Sequence, residues 1–284
     1  MRFKEFILSE VFQDTKYFEE SLSVIAKECR PFLDASDKLP LFRGMSQKAT
    51  NSVQYSFHPE KRTARDSSPE FNLFFNAGIE LAFGISDIRK KSVFCTGDLD
   101  IAKEYGSAYY IFPKGKFKFI WSENVSDSWD FTIGPGFINE MRREGIQPRS
   151  SEGLKFDKVQ TEISELLNAD EKSLLKADEK TKDAINKIFS DNDFINSNSE
   201  KSTFYDGLIE ALKNTYLGLY DADMFKDLQS AILSQHEILM YESDGYYSIS
   251  IKDAIEYAKT QDDIMPGGYT ASGVYRYLCT RFFK

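Results

Sequence analysis

The chain has 284 residues, 41% of them hydrophobic and 14% aromatic, enough apolar material for one large domain or two small ones with a real core. Its formal net charge of -9 excludes a global positive field that would gather nucleic acid or anionic membrane non-specifically, so any nucleic-acid contact needs a local basic patch. Cys29, Cys95 and Cys279 stand far apart with no paired spacing, which argues against a disulfide framework and a cysteine zinc site and points to a reducing cytoplasm.

The opening "MRFKEFILSE" has only a short apolar run, soon broken by Glu10 and Asp14, and is not read as a secretory signal. No stretch approaches the ~20 apolar residues of a membrane span, so no membrane partner is expected. Between Phe6 and Phe32 the apolar residues Phe6, Ile7, Val11, Phe12, Phe18, Leu22 and Ile25 recur at roughly helical spacing. This predicts a helical lead-in over residues 1–38, stopping at Pro31. From Pro40 to Trp121 short apolar bursts, "PLFRGM", "KSVFCTGD", "AYYIFPKG" and "FKFIWSE", alternate with Gly, Pro, Asn and Asp, the texture of strands with a helix or two between them.

From about Gly134 to Leu233 the pattern turns helical, with a dense mixture of Lys, Asp and Glu that reads as a solvated face. The polar punctuation "SDNDFINSNSEKS" predicts a loop, and "FYDGLIEALKNTYLGLY" a further helix. "GYYSISIKDAIEYAK" reads as a strand, with Tyr247, Ile249 and Ile251 on one face, running into a helix. The class is α+β.

Chemistry is narrowed first by elimination. His58 and His236 are the only histidines and neither sits near a nucleophile motif, which removes the common hydrolase triads. HExxH, CxxC and Walker spacings are absent, and "GPGF" at Gly134 to Phe137 is too short a glycine cluster to cradle phosphate by itself. No metal site is expected. Three segments remain.

In "PLFRGM", Arg43 sits inside a short apolar burst, where a guanidinium calls for an anion such as phosphate or carboxylate, and Gly44 lets a backbone come close. The plainer alternative is an edge-strand arginine paired with a surface acid. In "SVFCTGDLD" a strand ends on Thr96 and turns through Gly97 into a helix that Asp98 caps. In "SQHEILMY", a strand would set Gln235 and Glu237 side by side on one face; otherwise both end the preceding helix and meet solvent.

The order of the three segments resembles the Arg, Ser, Glu signature of mono-ADP-ribosyltransferases, over Leu41 to Trp121 plus Ser234 to Ile251. Where that family reads aromatic, any residue, Ser-Thr-Ser, this chain has Phe94, Cys95, Thr96, Gly97 and Asp98, so Thr96 stands for the first Ser and the remainder departs. The resemblance implies a split antiparallel β-sandwich around an NAD cleft, with a catalytic core over residues 39–133 and 231–284 and a helical insertion at 134–230. It implies NAD as substrate, Glu237, Gln235 and Thr96 as catalytic residues, and Arg43, Gly44, Phe94 and Thr96 at the cofactor.

Gln235 in place of a second Glu implies an acceptor other than arginine: a nucleobase of RNA or DNA, as in toxin or antiphage enzymes, or a protein side chain. A neutralising antitoxin is an expected partner. A nucleic-acid target would need Lys114, Lys116 and Lys118, or Arg142, Arg143 and Arg149, to form a basic rim; the alternative is solvated cations on edge strands. Two other readings stay open: a transferase fold that has lost its activity, and a partner-binding module built on the helical stretch.

Overall fold

A computed structural model describes residues 15–45, 52–56, 68–128, 135–149, 155–168, 173–197, 203–223, 226–261 and 268–283. The described residues form twelve α-helices, a seven-stranded antiparallel sheet and a two-stranded ribbon, an α+β architecture. The chain divides into two compact units. One comprises Met1–Pro59, Ser92–Trp121 and Asp223–Lys284; the other comprises Glu60–Lys91 and Ser122–Ala222.

The first unit opens with α1 (Thr15–Glu28) and α2 (Arg30–Ser36). Phe18, Leu22 and Ile25 recur every three to four residues and are all buried, as an amphipathic helix requires. The expected stop at Pro31 is corrected: the proline lies in the first turn of α2, where a missing N–H costs nothing, and the helix ends instead at left-handed Asp37. The part of the expected helix before Thr15 lies outside the described residues.

The sheet contains β1 (Phe42–Met45), β2 (Val53–Ser56), β3 (Val93–Thr96), β4 (Ser107–Pro113), β5 (Lys118–Ile120), β8 (Glu237–Tyr241) and β9 (Tyr246–Ser250), in the order β2-β9-β4-β1-β3-β8-β5. β1 runs beside β4 from Phe42 opposite Tyr110 to Met45 opposite Ser107. β3 runs beside β8 from Val93 opposite Met240 to Thr96 opposite Glu237. Between these halves β1 and β3 share a single rung, Phe42 opposite Thr96. Four strands lie on one side of this rung and three on the other, and the rung, where Thr96 stands, is the hinge between them.

Aromatic packing fills the unit. Tyr110 and Phe112 of β4 meet Tyr275 at ring-centroid separations of 5.2 and 5.8 Å, and Phe32 meets Phe112 edge-on at 6.1 Å. Each such buried ring contributes roughly 1.5–3 kcal/mol by removal from water. The Tyr110 hydroxyl donates to the Ala271 carbonyl at 2.6 Å, and burial pushes its pKa well above the usual phenol range. Short helices complete the unit: α5 (Leu99–Glu104) after β3, α10 (Leu228–Ser234) before β8, and α11 (Ile251–Lys259) and α12 (Ala271–Phe282) after β9.

The second unit is built on α3 (Pro69–Phe83), capped by Ser68 and ended by left-handed Gly84. It also contains α4 (Ile88–Lys91), α6 (Pro135–Arg143), α7 (Phe156–Leu167), α8 (Glu179–Asp191) and α9 (Phe204–Leu219). Helix α3 buries Phe71, Leu73, Phe74, Phe75, Ala77 and Ile79, and its Gly78 lies so close to Tyr216 of α9 that a methyl there would fall 2.1 Å from the ring. This helix, which buries most of its apolar residues here, lies with Glu60–Lys91 in this unit, so the compact units do not follow the expected division at 39–133 and 134–230. The loop expected around Asp191 is also corrected: Phe194–Asn196 is strand β7, paired with β6 (Ile146–Pro148). Phe194 is pulled in by Phe189, whose ring it meets at 5.5 Å.

Candidate functional site

The three segments singled out in the sequence meet at the middle of the seven-stranded sheet. β1, β3 and β8 are consecutive strands, and Phe42, Thr96 and Glu237 form one continuous rung across them. Backbones two strands apart, as β1 and β8 are, are separated by about 10 Å, but Arg43 is one residue off this rung and so projects to the other face of the sheet from Thr96 and Glu237. Arg43 occupies the neighbouring pleat position, opposite Tyr109, and its side chain leaves β1 on the other face from Phe42.

β1 is central, so the edge-strand alternative for Arg43 is excluded. The residue is half-buried, its Nε is sealed from solvent without a hydrogen-bond partner, and none of the ion pairs among the described residues includes it. A cation in that state is poised for an anion.

Thr96 is 6% exposed and ties two turns together. Its Oγ1 donates to the Gln235 carbonyl at 2.8 Å and accepts the Asp98 N–H at 3.0 Å. The hydroxyl's one proton goes to a backbone oxygen two residues before Glu237 and not to the carboxylate. It fixes instead the joint from which Glu237 emerges. Asp98 caps α5 as expected, with Oδ1 accepting the N–H groups of Asp100 and Ile101 at 2.7 and 3.1 Å.

The pairing of Gln235 with Glu237 on one strand face is corrected too. Gln235 is the left-handed residue (φ 65°) that ends α10, its N–H bonded to the Ile232 carbonyl at 3.3 Å, and β8 begins only at Glu237. The Gln235 side chain is exposed, whereas Glu237 is half-buried at the rung. Ser234 reinforces the same turn, donating to the Ala231 carbonyl at 2.8 Å and accepting the His236 N–H at 3.2 Å.

Gly44 has a different task from the one expected of it. A methyl there would fall 2.0 Å from the Ala102 carbonyl oxygen and 2.8 Å from Tyr105 Cβ, so the space it leaves is taken by α5 and not by a nucleotide. Gly97, read from the sequence only as a turn residue, does the same for α10: a methyl would fall 1.7 Å from the Ile232 carbonyl oxygen. The signal was present as a small residue between a strand and a capped helix, but its neighbour 135 positions on was not legible. Phe94 is half-buried in β3 opposite Leu239, two residues from Thr96.

Of the lysines that a basic rim would need, two are paired with acids. Lys114 is paired with Glu28 at 2.9 Å and Lys118 with Glu242 at 2.7 Å. Lys118 stands opposite Tyr241, the far end of β8 from Glu237, about 14 Å away at 3.4 Å per residue. Arg142, Arg143 and Arg149 belong to the other unit, and Arg143 is held by Glu140. Among the described residues no cluster of His, Cys, Asp and Glu fits a metal, and no helix is long and apolar enough to cross a membrane. His58 lies outside the described residues. Compared with protein-family models, with curated proteins and with solved structures, the chain matches none.

Proposed function

We propose that the chain is an NAD-dependent mono-ADP-ribosyltransferase acting on an acceptor other than arginine. The observation that carries this reading is the adjacency of β1, β3 and β8, which sets the strands of Arg43, Thr96 and Glu237 side by side, Thr96 and Glu237 on one rung at the hinge, although Thr96 and Gln235 are 139 residues apart in sequence. The junction of two groups of antiparallel strands at a single rung supports the ADP-ribosyltransferase-like reading of the fold.

In the reaction the bond from ribose C1′ to the nicotinamide nitrogen breaks and its electron pair leaves with neutral nicotinamide. An acceptor lone pair then forms the new bond to C1′ and the acceptor's proton passes to solvent. Glu237 is the carboxylate that offsets positive charge developing on the ribose. Thr96 positions Glu237 through the Gln235 carbonyl. Gln235, neutral and exposed, addresses the acceptor with an amide that both donates and accepts.

The test is nicotinamide release from NAD by the purified chain, with and without pooled cellular macromolecules. Release by the wild type that falls at least 100-fold in Glu237→Gln, in a protein that stays folded, supports the reading. Equal release by both proteins, or none by either, overturns it.

A further inference from the structure

We infer that Asp227 is a positioning residue for Glu237, acting through the short helix α10 that ends where the site begins. This rests on the transferase reading and names a residue outside the site that sets its geometry. Asp227 is exposed and precedes Glu237 by ten positions.

α10 has seven residues, roughly two turns, whereas an isolated helix shorter than about 12–15 residues is marginal in water. Its ends are therefore held by side chains. At the N-terminal end the Asp227 carboxylate accepts the Ser230 N–H at 3.0 Å through Oδ1 and the Ser230 hydroxyl at 2.6 Å through Oδ2. The hydroxyl, then the N–H, holds the Asp227 carboxyl below its ordinary value, so an ionised acceptor stands at the positive end of the helix. The neighbouring Lys226 is engaged by Asp223 at 2.7 Å.

From that cap the helix transmits its placement to the site. Leu228, Ala231 and Ile232 are buried, and Gln229 donates its amide to the Ala35 carbonyl of α2 at 3.3 Å. At the far end Thr96 holds the Gln235 carbonyl at 2.8 Å, and only His236 separates that anchor from Glu237. Gly97 leaves no slack there, since a methyl on it would fall 1.7 Å from the Ile232 carbonyl oxygen. Loss of the Asp227 cap frees the Ser230 N–H and frays the first of the two turns. The last turn, lying directly on the β3–α5 turn, then shifts, and Gln235 and Glu237 shift with it. A misplacement of about 1 Å at a reacting group can cost 10²-fold in rate, so partial loosening is legible in kcat.

The experiment compares Asp227→Ala with Asp227→Asn, whose side-chain oxygen still accepts from Ser230. Nicotinamide release from NAD gives kcat and KM, and amide hydrogen exchange is followed in peptides spanning 231–241 and, as a remote reference, 271–283. In Asp227→Ala kcat is expected to fall about tenfold with KM within about twofold, while exchange quickens over 231–241 and not over 271–283. Asp227→Asn is expected to recover most of both. An alanine variant with wild-type kcat, or an asparagine variant as impaired as the alanine one, overturns the inference. So does a lower kcat without faster exchange over 231–241, or exchange that quickens equally in both regions, which marks a general loss of stability. No nicotinamide release by the wild type sinks the transferase reading, and the positioning role with it, even where exchange shows Asp227 holding α10.

Discussion

Thr96 shows how much one hydroxyl decides. It accepts the Asp98 N–H and donates to the Gln235 carbonyl, so the β3–α5 turn and the α10–β8 turn share a single small group at the hinge. Removing it while keeping its shape leaves a backbone donor and acceptor unmatched, which costs about 1–3 kcal/mol for each group that stays buried. Thr96→Val is therefore expected to lower the denaturant midpoint substantially and to slow nicotinamide release, whereas Thr96→Ser recovers most of both. A valine variant as stable and as active as wild type would remove Thr96 from the positioning role. Gln235 sits in left-handed backbone that suits glycine, so Gln235→Gly is expected to raise stability by a few tenths to about 1 kcal/mol while weakening transfer. Equilibrium unfolding and labelling, measured together, separate those opposite effects.

At the scale of elements, the helices stand close to the sheet because glycines admit them. Gly97→Ala would drive a methyl to 1.7 Å from the Ile232 carbonyl oxygen and Gly44→Ala one to 2.0 Å from that of Ala102, and both contacts are backbone, which cannot rotate aside. Each substitution is expected to destabilise by about 1–3 kcal/mol or more, read as a loss of denaturant midpoint. Helix α1 is fastened by a polar contact: Glu28 accepts from Tyr247 at 2.6 Å and pairs with Lys114 at 2.9 Å. The Tyr247 hydrogen bond, then Lys114, holds the Glu28 carboxyl below its ordinary value, and Glu28 in turn raises Lys114. A depressed carboxyl stabilises above its unfolded pKa, and that contribution is lost as pH falls through the folded value. A raised lysine stabilises below its unfolded pKa and loses its contribution as pH climbs through the folded one. The midpoint difference between wild type and Glu28→Gln is thus expected to be steady near neutrality and to shrink in acid; a difference that persists below the folded carboxyl pKa would contradict this.

For the whole molecule, the three cysteines are buried thiols, and burial pushes Cys29 and Cys279 up to about 12. The thiolate is the reactive form, so the native chain is expected to resist iodoacetamide at pH 8 and to take three adducts once denatured, as read by intact mass. Rapid alkylation of the native chain would contradict the packing. The sequence by itself determined the α+β class, the strands around "PLFRGM", "SVFCTGD" and "HEILMY", the Asp98 cap and the buried amphipathic helix before Phe32. These depend on periodicity and turn chemistry within a dozen residues, which a chain carries locally. Only the tertiary structure decided that Gln235 ends a helix, that Thr96 bonds a carbonyl 139 residues away, that Gly44 is filled by α5, and that Lys114 and Lys118 are paired with acids. Each of these is set by a partner distant in the chain, and no local pattern encodes which distant backbone will arrive beside a given residue.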